Sequence, residues 1–349
     1  MWILTILLLI FILGIIILIH ELGHFFWAKK FGVYIYEFSI GMGPIIKSKK
    51  GKDGIYYNLR AFPIGGFVQM AGEVYEDDNK IPKEKFMCNK PWYQRFIILV
   101  AGVVNNFILA IVILFFLGLI WGPSVMTPTI GEIIPNSASE KAGLEVGDTI
   151  LKINDKKVNN WDTGQIYLVY KNESNIYNFE VKKANGEIET IKVEPEIKKD
   201  EKGNETKTFG FGLAKPTEKG FFTSIKYAFQ KFGSIVNSMR LTIGGLFTGD
   251  LSIKALSGPV GMYKVVEQSL EHGIAQIVYI IAFLSINVGF LNILPFPAFD
   301  GGRLVFLVIE KIKGSPVDSN LENKFHMVGF ILLIILMIYI TFQDVINLF

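Results

Sequence analysis

The chain has little of several things. Among 349 residues there is a single cysteine, Cys88, so an intrachain disulfide and a cysteine-based metal cluster are both excluded. Charge is scarce: Asp, Glu, Lys and Arg make up 19% of the residues, against about 25% in soluble proteins. A formal net charge of +3 gives no basic face of the kind that nucleic-acid binding needs, so no nucleic-acid partner is expected. There are only four histidines, and no repeat of about 20–50 residues is visible. No cation stands before Lys29, which argues against a cleaved signal peptide with its cationic start and short apolar stretch.

Apolar residues are abundant instead, at 50% of the chain, with 13% aromatic. So much apolar surface needs either an unusually large core or lipid as a solvent, which favours a polytopic membrane protein and disfavours soluble, disordered or fibrous classes. Residues 2–28 are apolar apart from Thr5 and a cluster at His20 to His24, long enough to cross a hydrocarbon layer of about 30 Å. Further runs at 96–121, 274–296 and 325–342 bring the expected spans to four, the last marginal in length. Lysines and arginines crowd the loop between the first two spans, from Lys29 to Arg95, and recur as Arg303, Lys311, Lys313 and Lys324 between the last two. By the positive-inside rule these loops are cytoplasmic, leaving the N-terminus and the long connection 122–273 outside. The organisation expected is therefore a first membrane half at 1–121, an outer domain at 122–215, an amphipathic linker at 216–273 and a second membrane half at 274–349.

Within the outer connection, residues 129–198 alternate apolar and polar positions in short runs divided by turn signals such as Asn185-Gly186, the pattern of a small β-rich domain. Residues 198–208 are polar and read as a loop, and 221–246 read as an amphipathic surface helix.

Chemistry concentrates at His20-Glu21-Leu22-Gly23-His24. On a helix, positions i and i+4 share a face, so both imidazoles can reach one metal while Glu21 lies close to its open position. Catalytic zinc takes three protein ligands and lowers the pKa of its water towards about 7, within reach of a carboxylate base. Two histidines that merely pack would leave polar groups at membrane depth. A charged group there costs about 2.5–3.5 kcal/mol on insertion scales, which weighs against that reading. A third ligand must come from elsewhere. The segment Asn292-Ile293-Leu294-Pro295-Phe296-Pro297-Ala298-Phe299-Asp300-Gly301-Gly302 closes the third span at the same cytoplasmic depth. Its prolines and glycines break the helix and free Asp300 to approach a metal. Taken alone, Asp300 is equally a cap on a helix starting near Gly302.

These two motifs together, with Phe38-Ser39-Ile40-Gly41-Met42-Gly43-Pro44, the stretch from Pro63 to Glu73 containing Gly65-Gly66-Phe67, and Ser257-Gly258-Pro259-Val260-Gly261, make the chain resemble the site-2 protease family of intramembrane zinc metalloproteases, in its bacterial PDZ-containing branch. The segment from Ile134-Pro135-Asn136-Ser137 through Ala142-Gly143-Leu144 to Gly147-Asp148 is in turn similar to a bacterial protease PDZ domain. The resemblance implies a polytopic α-helical membrane protein of about four spans, with a membrane-associated β-loop at about 31–72 and one extracytoplasmic PDZ-like α/β domain. It also implies Zn2+ bound by His20, His24 and Asp300, Glu21 as general base, and Asn292, Gly41 and Gly43 as contacts to substrate backbone. The expected location is the bacterial inner membrane, and the expected partners are membrane-anchored protein substrates and the lipid bilayer.

Two positions depart from the family pattern. Ala101-Gly102-Val103-Val104-Asn105-Asn106 lacks the usual proline, and Phe299 stands where leucine is usual before the aspartate. Asn105 and Asn106 are explained equally by a water-filled site or by interhelical hydrogen bonds. His272 and His326, near span ends, read as ordinary interfacial histidines. The rival functions are a non-catalytic PDZ membrane scaffold, against which an intact Glu21 argues, and a zinc transporter, which would want ligands at several depths.

Overall fold

Four long apolar helices dominate the computed structural model, which describes residues 2–73, 80–124, 126–172, 174–199, 205–214, 219–253 and 256–346. They are α1 (Trp2–Lys30), α2 (Trp92–Ile120), α7 (Ile274–Ile293) and α9 (Ser319–Ile346), each long and apolar enough to cross a membrane. The expected four-span membrane protein is what the chain forms. Helix α1 shows why: its interior has no proline, and its buried residues, Thr5, Ile12, Ile16, His20, Gly23, His24 and Ala28, fall at the helical spacings of three, four and seven that make one stripe. It stops at Gly32, whose φ of 66° admits a left-handed residue, while Gly32 N–H bonds Lys29 O and Val33 N–H bonds Ala28 O. That crossed pair satisfies carbonyls the helix end would otherwise leave open.

Two boundaries differ from expectation. Helix α7 ends at Ile293 rather than at 296, because Leu294 adopts an extended ψ of 143° before Pro295. Helix α9 runs for 28 residues, so the fourth span is not marginal; Glu322, Asn323 and Lys324 extend it although they are not apolar, since helix formation tolerates polar residues that hydropathy counts against.

Contacts divide the chain into two units. The first comprises Met1–Ile113 and Ser257–Val345. After α1 comes an antiparallel hairpin of β1 (Ile35–Lys50) and β2 (Tyr56–Met70), with several register shifts along its length. Its base contributes Ile35, Phe38, Val68 and Met70 to a core with Ala28, Val33, Met87, Ile98, Leu99 and Leu307. Its outer half exposes Met42, Ile45, Ile46, Leu59 and Phe62, side chains suited to lipid rather than water. This unit also holds α6 (Pro259–Glu271) and α8 (Asp300–Lys313).

The second unit, Leu114–Leu256 with 346–349, is β-rich. In chain order it contains β3 (Ile130–Ile133), α3 (Ala138–Ala142), β4 (Thr149–Ile153), β5 (Lys156–Lys157), α4 (Trp161–Val169), β6 (Tyr177–Lys182), β7 (Ile188–Val193), β8 (Glu196–Lys199), β9 (Glu205–Thr208) and β10 (Phe211–Leu213). A four-stranded sheet runs β5-β4-β6-β7, β10 pairs with β3, and β8 with β9. Strand β6 buries alternate residues, Tyr177, Phe179 and Val181, against Ile130, Ile150, Ile153 and Val193. The segment read as a loop at 198–208 is instead part of the β8–β9 hairpin where it is described; 200–204 lie outside the described residues. Lys and Thr alternation on a solvated hairpin carries no apolar signal, which is why it read as a loop. Helix α5 (Phe221–Thr248) meets α4 through Asp162, which accepts from Lys231 Nζ at 2.7 Å and from Ser234 Oγ at 2.5 Å.

Candidate active site

The inner half of α1 carries His20 and His24 on its buried face, 6% and 7% exposed. Their rings meet edge to face, with centroids 4.8 Å apart, and their Nε2 atoms are separated by 3.2 Å. Asp300 arrives from the first turn of α8, whose N-cap is Phe299, with no side-chain capping bond there. The capping alternative for Asp300 is thus not realised: its Oδ2 lies 3.0 Å from His20 Nε2 and 3.4 Å from His24 Nε2. All three donor atoms fall within 4.8 Å of one another.

The outer atoms of each ring decide what the inner ones can do. His24 Nδ1–H donates to Ile98 O at 2.8 Å, which leaves Nε2 with its lone pair. His20 Nδ1 is 3.3 Å from the amide nitrogen of Asn106, a fully buried residue whose Oδ1 has no hydrogen-bond partner among the described residues. Turning that amide through half a turn sets Oδ1 against His20 Nδ1–H and frees His20 Nε2 as well. Two imidazole lone pairs and a carboxylate oxygen then converge with no proton between them, an arrangement that a divalent cation stabilises.

Dimensions agree with this. Two donors on one tetrahedral zinc, with bonds of about 2.0–2.1 Å, stand roughly 3.3 Å apart, close to the 3.2, 3.0 and 3.4 Å found. Gly102 keeps the space open: a Cβ there would lie 2.5 Å from His24 Nε2 and 2.7 Å from His20 Nε2. Gly102 and Asn106 are four residues apart and so share the face of α2 that meets the histidines. At Gly23 a Cβ would stand 2.4 Å from Ala101 O, so only glycine lets the two helices approach this closely.

Glu21 is half-buried, and its Oε2 accepts the backbone N–H of Val68 on β2 at 3.1 Å. The hairpin therefore orients the carboxylate, a role that no sequence signal for Val68 announced. Asn292, in the last turn of α7, is half-buried and makes no side-chain hydrogen bond among the described residues. Gly41 and Gly43 lie in β1 with φ of 87° and 83°; a Cβ at Gly41 would be 2.6 Å from Phe62 O. Of the residues expected at the site, the structure thus gathers His20, His24 and Asp300, ties Glu21 to the hairpin, and sets Asn292 and the two glycines on their own elements.

Other residues fill supporting places. Asn105 Nδ2 donates to Ile19 O at 3.2 Å, an interhelical bond, whereas Asn106 reaches the site. Downstream of Asp300, Arg303 pairs with Glu73 at the end of the hairpin, and Arg95 of α2 pairs with Glu310 at 2.5 Å. His272 only closes its own helix end on Gln268 O. Asn106 could have been preferred to Asn105 from its spacing to Gly102; nothing in the sequence marks Ile98 O or Val68 N.

The model of peptidase family M50 matches residues 8–336. Among curated proteins, the chain is 33% identical to the regulator of sigma-W protease RasP of Bacillus subtilis, with all of both chains covered. It is 32% identical to zinc metalloprotease RasP of Bacillus licheniformis over 99% of each chain, and 30% identical to that of Geobacillus kaustophilus over 96% of each. A helix-borne histidine pair, an aspartate brought to it from a broken helix, four spans and these full-length matches lead to one conclusion: the chain belongs to the M50, or site-2 protease, family and is a multi-pass membrane zinc metalloprotease.

Proposed function

We propose that this protein is an intramembrane endopeptidase that hydrolyses a peptide bond in or near a transmembrane segment of a membrane-anchored protein, with His20, His24 and Asp300 holding the zinc. The observation that carries the assignment is the convergence of His20 Nε2, His24 Nε2 and Asp300 Oδ2 beside the gap at Gly102. When bound, zinc supplies a Lewis acid that polarises the scissile carbonyl and makes water acidic enough to lose a proton near neutrality. Glu21 takes that proton and returns it to the leaving amine nitrogen. The Val68 N–H holds one carboxylate oxygen and leaves the other for this transfer. A helix whose carbonyls are all bonded internally offers no attackable carbonyl, so the target segment unwinds first. Asn292 and the hairpin around Gly41 and Gly43 receive the unwound stretch as an added strand.

In this reading the lysine-rich loop is cytoplasmic, in the inner membrane of a bacterium, and the β-rich unit is an extracytoplasmic PDZ-like domain. Strand β10 supports the latter: among the described strands it pairs only with β3, so one edge remains for an extended peptide. Because one relative is named for regulating sigma-W, membrane-anchored regulators of transcription such as anti-sigma factors are the first substrates to test, with remnant signal peptides second. The test compares membrane fragments from cells carrying the wild type and Glu21→Gln. Single-pass proteins or their stubs should accumulate uncut with the variant. Identical fragment profiles would overturn the proposal.

A further inference from the structure

Asp300 reaches the histidines through a break between two helices. Helix α7 stops before Pro295, helix α8 starts at Asp300, and between them Ala298 has φ of 78°, a left-handed conformation costly for a residue with a Cβ. Both flanking helices are anchored. Ser285 of α7 bonds Asn106 O at 2.8 Å; Leu307 of α8 is buried and its carbonyl accepts Trp92 Nε1–H at 3.0 Å. The freedom to misplace Asp300 therefore lies in residues 294–299.

Within the loop Phe296 N–H bonds Leu294 O at 2.7 Å and Phe299 N–H bonds Phe296 O at 3.3 Å; the left-handed residue itself is held from outside the loop. The Ala298 N–H donates to His326 Nδ1 of α9 at 3.1 Å. To accept there, His326 carries its proton on Nε2, which is buried with no hydrogen-bond partner among the described residues; the Glu322 carboxylate stands 4.0 Å off. The polar function of this ring is thus directed at the Ala298 N–H. Helix α9 comes close enough through glycine. A Cβ at Gly329 would lie 1.9 Å from Pro297 Cβ, and one at Gly302 would lie 3.2 Å from His326 Cε1.

We propose that His326 is a positioning residue that, by accepting the Ala298 N–H, holds the left-handed turn before Asp300 and so fixes the Asp300 carboxylate against His20 and His24. This rests on the reading of Asp300 as a zinc ligand. Without the acceptor, Ala298 relaxes toward negative φ, and the peptide two residues before the ligand rotates with it. His326 touches neither substrate nor metal and acts only through the loop.

The test uses the full-length protein in detergent micelles. Zinc affinity is measured by chelator competition, the visible absorption of the Co2+-substituted protein reports ligand geometry, and thermal unfolding is followed in parallel. His326→Ala should weaken zinc binding about tenfold, the low end for loss of a supporting hydrogen bond, and change the cobalt absorption. His326→Asn, whose Oδ1 can accept the same N–H, should stay close to wild type. Adding Ala298→Gly to His326→Ala should restore most of the affinity, because glycine adopts this φ without penalty. If His326→Ala keeps wild-type affinity and spectrum, the proposal is wrong. It is equally wrong if Ala and Asn variants lose zinc alike and glycine does not rescue, since His326 then only packs. An Asp300→Ala variant with stoichiometric zinc would instead remove the ligand assignment itself.

Discussion

The two sides of the proposed metal site are built by different means. His20 and His24 stand on an uninterrupted helix, where four residues make about one turn and the backbone alone aligns the rings. Asp300 stands two residues beyond a left-handed residue and a pair of prolines, 276 positions from His24 in sequence, and is aimed by contacts from other helices. The helix side needs only its spacing, plus Ile98 O and Asn106 to set which nitrogen carries the proton. The loop side needs α8, α9 and the hairpin to hold it. Helical order is cheap and local, so precision on that side is robust to change elsewhere; on the loop side it depends on each tertiary contact.

The comparison can be broken most directly at the chemistry between the two sides. Glu21→Gln should lower cleavage by about 10²–10⁴, the usual contribution of a general base, while retaining stoichiometric zinc by metal analysis. Loss of zinc in that variant would make Glu21 a ligand and the division of roles wrong. On the helix side, Gly102→Ala places a methyl 2.5 Å from His24 Nε2, and the ring or α2 must shift. Displacements of about 1 Å at such sites cost on the order of 10²-fold in activity, and zinc affinity should fall with it in a chelator titration. Unchanged affinity would show the space at Gly102 to be unused. A smaller effect is expected at Asn106: Asn106→Ala removes the partner of His20 Nδ1 and should weaken zinc by about 10–100-fold, whereas Asn105→Ala, which loses only a bond to Ile19 O, should leave zinc affinity intact. Equal losses at the two positions would dissolve the distinction between them.

The smallest effect on the site is expected from the second unit. There Asp148 is 1% exposed and accepts both Glu145 N–H at 2.9 Å and Lys183 Nζ at 3.0 Å. Burial opposes the Lys183 charge, yet Asp148 and Glu145 beside it hold the ammonium above the usual lysine range. Asp148→Ala leaves the Glu145 N–H without its acceptor and Lys183 with only Glu145 Oε2 at 3.3 Å and Gly143 O at 3.0 Å, and should destabilise this unit by about 1–3 kcal/mol, read as a lowered thermal transition, with zinc content unchanged. Zinc loss in that variant would show that the site depends on the second unit.

The spans were legible because lipid demands long apolar runs, and the error at the fourth came from helix residues that are polar. The His20–Glu21–His24 set was legible because helix geometry turns sequence spacing into spatial proximity. Asp300 is marked by its broken-helix context and by the resemblance, but local sequence does not separate a ligand from a cap; the place of Oδ2 against both rings does. The β8–β9 hairpin was missed because a solvated hairpin has no apolar alternation to read.

What the sequence by itself determined is whatever obeys a local period or a solvent rule: four membrane helices, a β-rich domain between them, and two imidazoles on one face. Tertiary structure alone decided that Asn106 rather than Asn105 meets His20, that Val68 N–H turns Glu21, that Gly102 leaves the gap, and that His326 holds Ala298. Each of these joins residues from separate elements through one backbone atom, one side-chain pair or a missing side chain, and such contacts leave no periodic trace along the chain.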